Sequence, residues 1–198
     1  MEKDLLNSLE VLMRGGTILY PTDTIWGIGC DATSQDAVDN LIKIKGRSDE
    51  KGLLILVDDP ERLSEYVAEI PDIAWELVAV TEEPLTIVYP EGINLPANVL
   101  HNDGSVGIRV TVDTFCRELI RRFGRPVIST SANLSGQPFP SVFAEISEAI
   151  KSGVDYIVKW RQDDLTVKNP STILKLGLKG EIEIIRPGIP GLKESNQK

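Results

Sequence analysis

A chain of 198 residues, 41% of them hydrophobic, can bury one sizeable core, and its net charge of -9 with a pI near 4.7 excludes a surface that is basic all over. No apolar run reaches the length of a membrane span, and the N-terminus lacks the apolar stretch of a signal peptide. Two distant cysteines, Cys30 and Cys116, and a single histidine, His101, fit neither a disulfide framework nor a zinc site, so a cytoplasmic, metal-poor protein is expected.

The chain opens with an amphipathic helix over 4–14. Leu5, Leu9, Leu12 and Met13 mark its buried face, and Gly15-Gly16 stop it. Residues 17–20 read as a strand ending at Pro21, which places Thr22 and Thr24 in a turn where their hydroxyls can hydrogen-bond. The apolar run 25–30 carries Gly27 and Gly29; close approach to the backbone and a turn with two packed glycines both explain them. Ser34 is an N-cap for a helix ending at Lys45, with Asp36 and Asp39 early, Lys43 and Lys45 late, Gly46 as C-cap and Val38, Leu41 and Ile42 buried. If the helix stops there, Lys45 and Arg47 can turn toward one site together with Lys51; a solvated basic helix end is the alternative.

Residues 52–57 read as a strand buried on both faces, followed by helices over 61–67 and 72–80 and a strand over 85–89. The loop 91–104 carries His101, a surface residue by this reading. Arg109 lies in a strand over 106–110, where burial demands an anionic partner, and a carboxylate elsewhere in the chain is the simpler one. A helix beginning at Asp113 ends in Arg121, Arg122 and Gly124. With Arg117 and Arg125 these arginines form the densest basic patch, either a local RNA contact or a complement to the helix dipole. The strand 127–128 breaks into a hydroxyl- and amide-rich run through Ser131 and Asn133, a ligand loop or a plain Ser/Thr turn. A helix over 142–151 and strands over 155–159, 171–176 and 181–185 complete the chain, with a frayed tail from Lys193.

Strands and helices interspersed without strict alternation imply an α/β fold: one domain over 1–198 with an ordered core of about 5–190, a twisted mixed sheet flanked by helices and a concave ligand cleft. Neither a phosphate-binding P-loop nor a dinucleotide fingerprint is present. The residues alone give a cationic, hydroxyl-lined pocket and name no reaction.

The segments YPTDTIWGIGCD, KIKGRSDEKGLLILV, VGIRV, ISTSANLSG, PSTI and IIRPG, in that order over roughly residues 15–188, resemble the YrdC-like threonylcarbamoyl-AMP synthase family. Its KxR…SxN signature is matched by Lys45, Arg47, Ser131 and Asn133. The resemblance implies a YrdC/RibB-like fold without the additional C-terminal domain of longer relatives. It implies a nucleotidyltransferase that makes L-threonylcarbamoyladenylate from L-threonine, bicarbonate and ATP, releasing pyrophosphate, for threonylcarbamoyladenosine modification of tRNA next to the anticodon. By the same resemblance Thr24, Arg109, Ser131 and Ser171 hold threonine. Lys45, Arg47, Lys51, Ser105, Asn133, Ser141 and Arg186 line the ATP site, with Lys45 and Arg47 the catalytic cations. Magnesium would arrive on ATP with no protein side chain holding it, and a tRNA-modifying transferase complex would take the product. Departures from the family pattern include Ser48 for a frequent Pro, Thr81-Glu82-Glu83 for Trp-Pro-Gly, Thr111 for Pro, Lys175 for Asp and Trp26 for Tyr. The alternative within the family is a YciO-type paralogue that binds RNA or nucleotide without synthase activity. A third possibility is carbamoyl-AMP chemistry as in hydrogenase maturation proteins, although those relatives carry extra zinc and acylphosphatase modules absent from this sequence.

Overall fold

The strands sort into two sheets rather than one. In this computed structural model, which describes residues 1–46 and 53–188, helix α1 (Glu2–Met13) leads into strands β1 (Ile18–Tyr20) and β2 (Gly27–Gly29) and helix α2 (Gln35–Lys45). Strand β3 (Leu54–Val57), a short 3-10 turn at Pro60–Arg62, helices α3 (Leu63–Tyr66) and α4 (Asp72–Val80) and strands β4 (Leu85–Tyr89) and β5 (Val106–Val110) follow. Helix α5 (Thr114–Phe123), strands β6 (Val127–Ile128) and β7 (Thr130–Ser131), a 3-10 turn at Phe143–Glu145, helix α6 (Glu148–Gly153) and strands β8 (Tyr156–Ile157), β9 (Thr172–Leu176) and β10 (Ile182–Arg186) complete it. The first sheet runs β7-β2-β1-β8 and the second β10-β9-β4-β5-β3-β6, each mixing parallel and antiparallel pairs.

Local chemistry sets the helix ends. The Ser34 hydroxyl accepts from the Ala37 N–H and Gly46 adopts φ +59°, so α2 spans the residues its caps predict. Asp113 and Gly124 bracket α5 in the same way. The helix expected over 142–151 is instead broken, because Ser147 starts a new N-cap by accepting from the Ile150 N–H. In α1 the buried arc is Asp4, Leu5, Ser8, Val11 and Leu12, whereas Met13 is 72% exposed. One step past Leu12 turns a side chain by about 100° away from the core.

The chain passes from one sheet to the other at Ser129, between β6 and β7. There the two glycines find their reason. A Cβ on Gly29 would stand 2.4 Å from the Ile128 carbonyl oxygen and 2.7 Å from Tyr20 Cε1, and one on Gly27 would stand 3.2 Å from Ser129 Oγ. The close approach comes from the crossing strand itself. Strand β3 lies inside the second sheet with Ile55, Leu56 and Val57 fully buried, which explains its unbroken apolar run.

Candidate functional site

Among the described residues six chain segments meet around a cavity of about 180 Å3: the β1–β2 turn, the start of β3, β5, the crossing into β7, the residues entering β9 and the end of β10. Thr24, Arg109, Ser131 and Ser171, the four residues expected to hold threonine, all line it, together with Arg186 and Trp26. The turn is built by Thr22, whose hydroxyl donates to the Ile25 carbonyl and accepts from the Thr24 N–H. Arg109 Nη1 then donates to Thr24 Oγ1 at 3.2 Å. Ser171 shares a hydrogen bond of 2.7 Å with Thr86 on β4, and its carbonyl accepts from Arg186 Nε and Nη2. Trp26 packs against Phe143 with ring centroids 4.8 Å apart, giving the cavity an aromatic wall.

The electrostatics favour an anion. Among the described residues two guanidinium groups line the cavity and no carboxylate does. Partial burial, then the neighbouring Arg109 charge, press the Arg186 pKa below its ordinary value. An arginine stays protonated under such pressure, so Arg186, in no ion pair among the described residues, holds charge that a ligand carboxylate or phosphate would relieve. The buried partner that Arg109 requires is Asp23, which sequence reasoning left unnamed. Its Oδ1 lies 3.1 Å from Arg109 Nη2, its Oδ2 accepts from Thr111, and both side chains are under a tenth exposed. An acid inside the threonine-rich turn was the signal that could have found it. Arg109 Nε is buried without a hydrogen-bond partner among the described residues.

The end of α2 does reach this region. Lys45 is 4% exposed, its Nζ donates to the Ser131 carbonyl at 2.5 Å, and its carbonyl accepts from the Ser135 N–H. Lys45 is thus not a solvated helix end. Arg47 and Lys51 lie outside the described residues. Asn133 closes its own loop by donating to the Leu134 and Gln137 carbonyls, and its buried Oδ1 has no hydrogen-bond partner among the described residues. Ser141 lines a small neighbouring void with Thr22, Trp26, Arg161 and Lys168. Ser105 is not brought to either cavity. Its hydroxyl and N–H both donate to Asp103, which also accepts from Lys175, so Ser105 secures the loop before β5. His101 in that loop is half-buried rather than a surface residue.

The arginine patch does not offer a bare cationic surface to RNA. Arg121 pairs with Glu118, Arg122 with both Glu118 and Glu2, and Arg125 with Asp31. These carboxylates come from one turn away on α5, from α1 and from the end of the β2 segment, so most of the patch's charge is neutralised within the protein. Cys30 and Cys116 are free and buried, and burial raises both thiol pKa values. Among the described residues no cluster of three or more acidic, histidine or cysteine side chains could hold a metal, and no helix is long and apolar enough to cross a membrane.

Fold and site define a class of protein: two mixed sheets with strand-end hydroxyls and paired guanidiniums arranged around a small, anion-seeking cavity. The chain belongs to the Sua5/YciO/YrdC family, whose model, described as "Telomere recombination", matches residues 10–188. It is 36% identical over 154 residues to the threonylcarbamoyl-AMP synthase of Pseudoalteromonas translucida, covering 76% of this chain and 82% of that one. With the threonylcarbamoyl-AMP synthase of Hahella chejuensis it shares 33% identity over 168 residues, covering 84% and 90%. Among solved structures, P. abyssi Sua5 complexed with L-threonine matches with a TM-score of 0.80 at 25% identity, over 89% of this chain; this chain spans 52% of that longer one.

Proposed function

We propose that this protein is an L-threonylcarbamoyladenylate synthase, a nucleotidyltransferase that joins L-threonine, bicarbonate and ATP and releases pyrophosphate. The observation that carries the reading is the convergence of Thr24, Arg109, Ser131 and Ser171 on one cavity that, among the described residues, is lined by two guanidinium groups and no carboxylate. Synthases at 36% and 33% identity over most of the chain support the same activity.

In this reading Arg109 receives the threonine carboxylate, while Thr24, Ser131 and Ser171 orient the hydroxyl and amine. The amine adds to carbon dioxide derived from bicarbonate and loses a proton, forming a carbamate. A carbamate oxygen then bonds to the α-phosphorus of ATP as the bond to pyrophosphate breaks. No enzyme nucleophile is needed, so the residues act by positioning and by neutralising charge. Arg186, which lines the cavity, Lys45, whose Nζ reaches the Ser131 carbonyl, and Asn133, Ser141, Arg47 and Lys51 are assigned to ATP in this proposal. ATP enters as its magnesium complex, the ion neutralising part of the phosphate charge. The product would pass to a tRNA-modifying transferase in the cytoplasm.

The test is pyrophosphate release from ATP by the purified chain. Release that requires both threonine and bicarbonate is expected. Release that is indifferent to threonine would refute the assignment, and the YciO-type alternative would then stand.

A further inference from the structure

Two buried hydroxyls meet at the floor of the cavity. Thr86 and Ser171 are each 2% exposed, and their side-chain oxygens stand 2.7 Å apart. Thr86 lies inside the six-stranded sheet, on β4 between β9 and β5. It pairs with Ile173 on β9, and the antiparallel register that joins Ile87 to Ile108 sets it across from Arg109 on β5. Paired residues share a face of a sheet, so Thr86 stands on the face where Ile173 and Arg109 line the cavity. Its methyl turns toward β5, where a Cβ on Gly107 would meet it at 3.8 Å, and its hydroxyl turns to Ser171. Branching at Cβ holds that rotamer. Ser171 borders the cavity, with Thr86 behind it.

Hydrogen-bond valence fixes which oxygen donates. A hydroxyl has one proton and two lone pairs. Among the described residues Thr86 Oγ1 has no hydrogen-bond partner other than Ser171. Were Ser171 the donor, the Thr86 proton would be buried with no acceptor, which is costly. With Thr86 as donor, Ser171 Oγ accepts from Thr86 and, at 3.5 Å, from Arg186 Nη2. Both lone pairs are then taken, and the Ser171 proton is left for the cavity.

We propose that Thr86 is a positioning residue for amino-acid binding: its hydroxyl donates to Ser171 and thereby makes Ser171 a hydrogen-bond donor to an oxygen of the bound amino acid. An ammonium group has only donors and cannot accept that proton. A neutral amine that accepted it would lose the lone pair it needs to attack carbon dioxide. The Ser171 position therefore takes the substrate hydroxyl or a carboxylate oxygen. The inference rests on the threonine reading above.

The test is calorimetric titration of L-threonine, and separately of ATP, into the full chain. Thr86→Val removes the donor at nearly constant shape. It should weaken threonine about threefold to tenfold, the worth of one net hydrogen bond, and leave ATP affinity unchanged. Thr86→Ser, which keeps the hydroxyl, should bind threonine as the wild type does. Thr86→Ala is a second variant without the hydroxyl in case valine disturbs the strand, and circular dichroism verifies each fold. L-2-aminobutyrate identifies the oxygen: a loss confined to threonine assigns Ser171 to the substrate hydroxyl, and a loss shared by both assigns it to the carboxylate. Unchanged or tighter threonine binding in Thr86→Val overturns the proposal, because a Ser171 that donated to Thr86 would be released toward the ligand. An equal loss in Thr86→Ser, or a loss shared by ATP, also overturns it, since a purely structural role produces those results. Pyrophosphate release by the wild type judges the synthase reading separately. Release indifferent to threonine sinks that reading, while the titrations still judge Thr86; a wild type that binds no threonine overturns both.

Discussion

Removing one member of the Asp23–Arg109 pair should unfold this protein more readily than removing both would suggest. The charges stand 3.1 Å apart, and each side chain is under a tenth exposed. At an effective dielectric constant of about 20, unit charges at that spacing attract by about 5 kcal/mol before desolvation is counted. Desolvation offsets much of that, so the pair's net contribution is small, but a lone buried charge keeps the penalty without the attraction. Asp23→Asn and Arg109→Met should therefore each cost about 3–5 kcal/mol. The double variant should cost less than the two together by at least ~2 kcal/mol, the signature of directly coupled neighbours. Urea unfolding followed by tryptophan fluorescence measures this, provided the denaturant slope is unchanged among the four proteins. Single-variant losses that add to the double-variant loss within about 0.5 kcal/mol would refute the argument. Arg109 would then be solvated through the cavity, with Asp23 merely its neighbour.

Gly29→Ala places a Cβ 2.4 Å from the Ile128 carbonyl, a backbone atom that cannot swing away, and should cost about 1–3 kcal/mol or more, whereas Gly107→Ala, whose nearest neighbours stand at 3.8 Å, should be nearly neutral by the same denaturation assay. The Lys175 ammonium, helped by Ser105, holds the Asp103 carboxyl well below its ordinary value of 3.8. A lowered folded-state pKa contributes stability above the unfolded value and loses it as pH falls through the folded one. The stability difference between the wild type and Asp103→Asn should accordingly shrink as pH is lowered from 5 toward 2, and a difference that grows would contradict the assignment. Cys30 and Cys116 are buried with raised thiol pKa values, so a disulfide reagent at pH 8 should label neither in the native protein and both after denaturation. Thr24→Val removes the hydroxyl that Arg109 contacts and should raise the threonine KM more than the ATP KM in the pyrophosphate assay; equal effects would remove Thr24 from the amino-acid subsite.

Much of the secondary structure was legible because its causes are local. Ser34 and Gly46 bound α2, Asp113 and Gly124 bound α5, and apolar runs between prolines and glycines mark β3, β4 and β5, all from interactions within about four residues. The residues alone marked hydroxyls and an arginine at strand ends; it was the family resemblance that singled out Thr24, Arg109, Ser131 and Ser171, and the fold brings these four to one cavity. What the sequence could not decide is pairing over long separations. Two sheets rather than one, Asp23 beneath Arg109, and Glu2 neutralising Arg122 from 120 residues away depend on which segments the folded core brings together. Such contacts form only when burial of the whole core offsets the entropy of closing long loops, and no short stretch of sequence carries that balance. The same physics explains Gly27 and Gly29: their spacing marked a close approach, and only the crossing of β6 into β7 identified the approaching group as the protein's own strand.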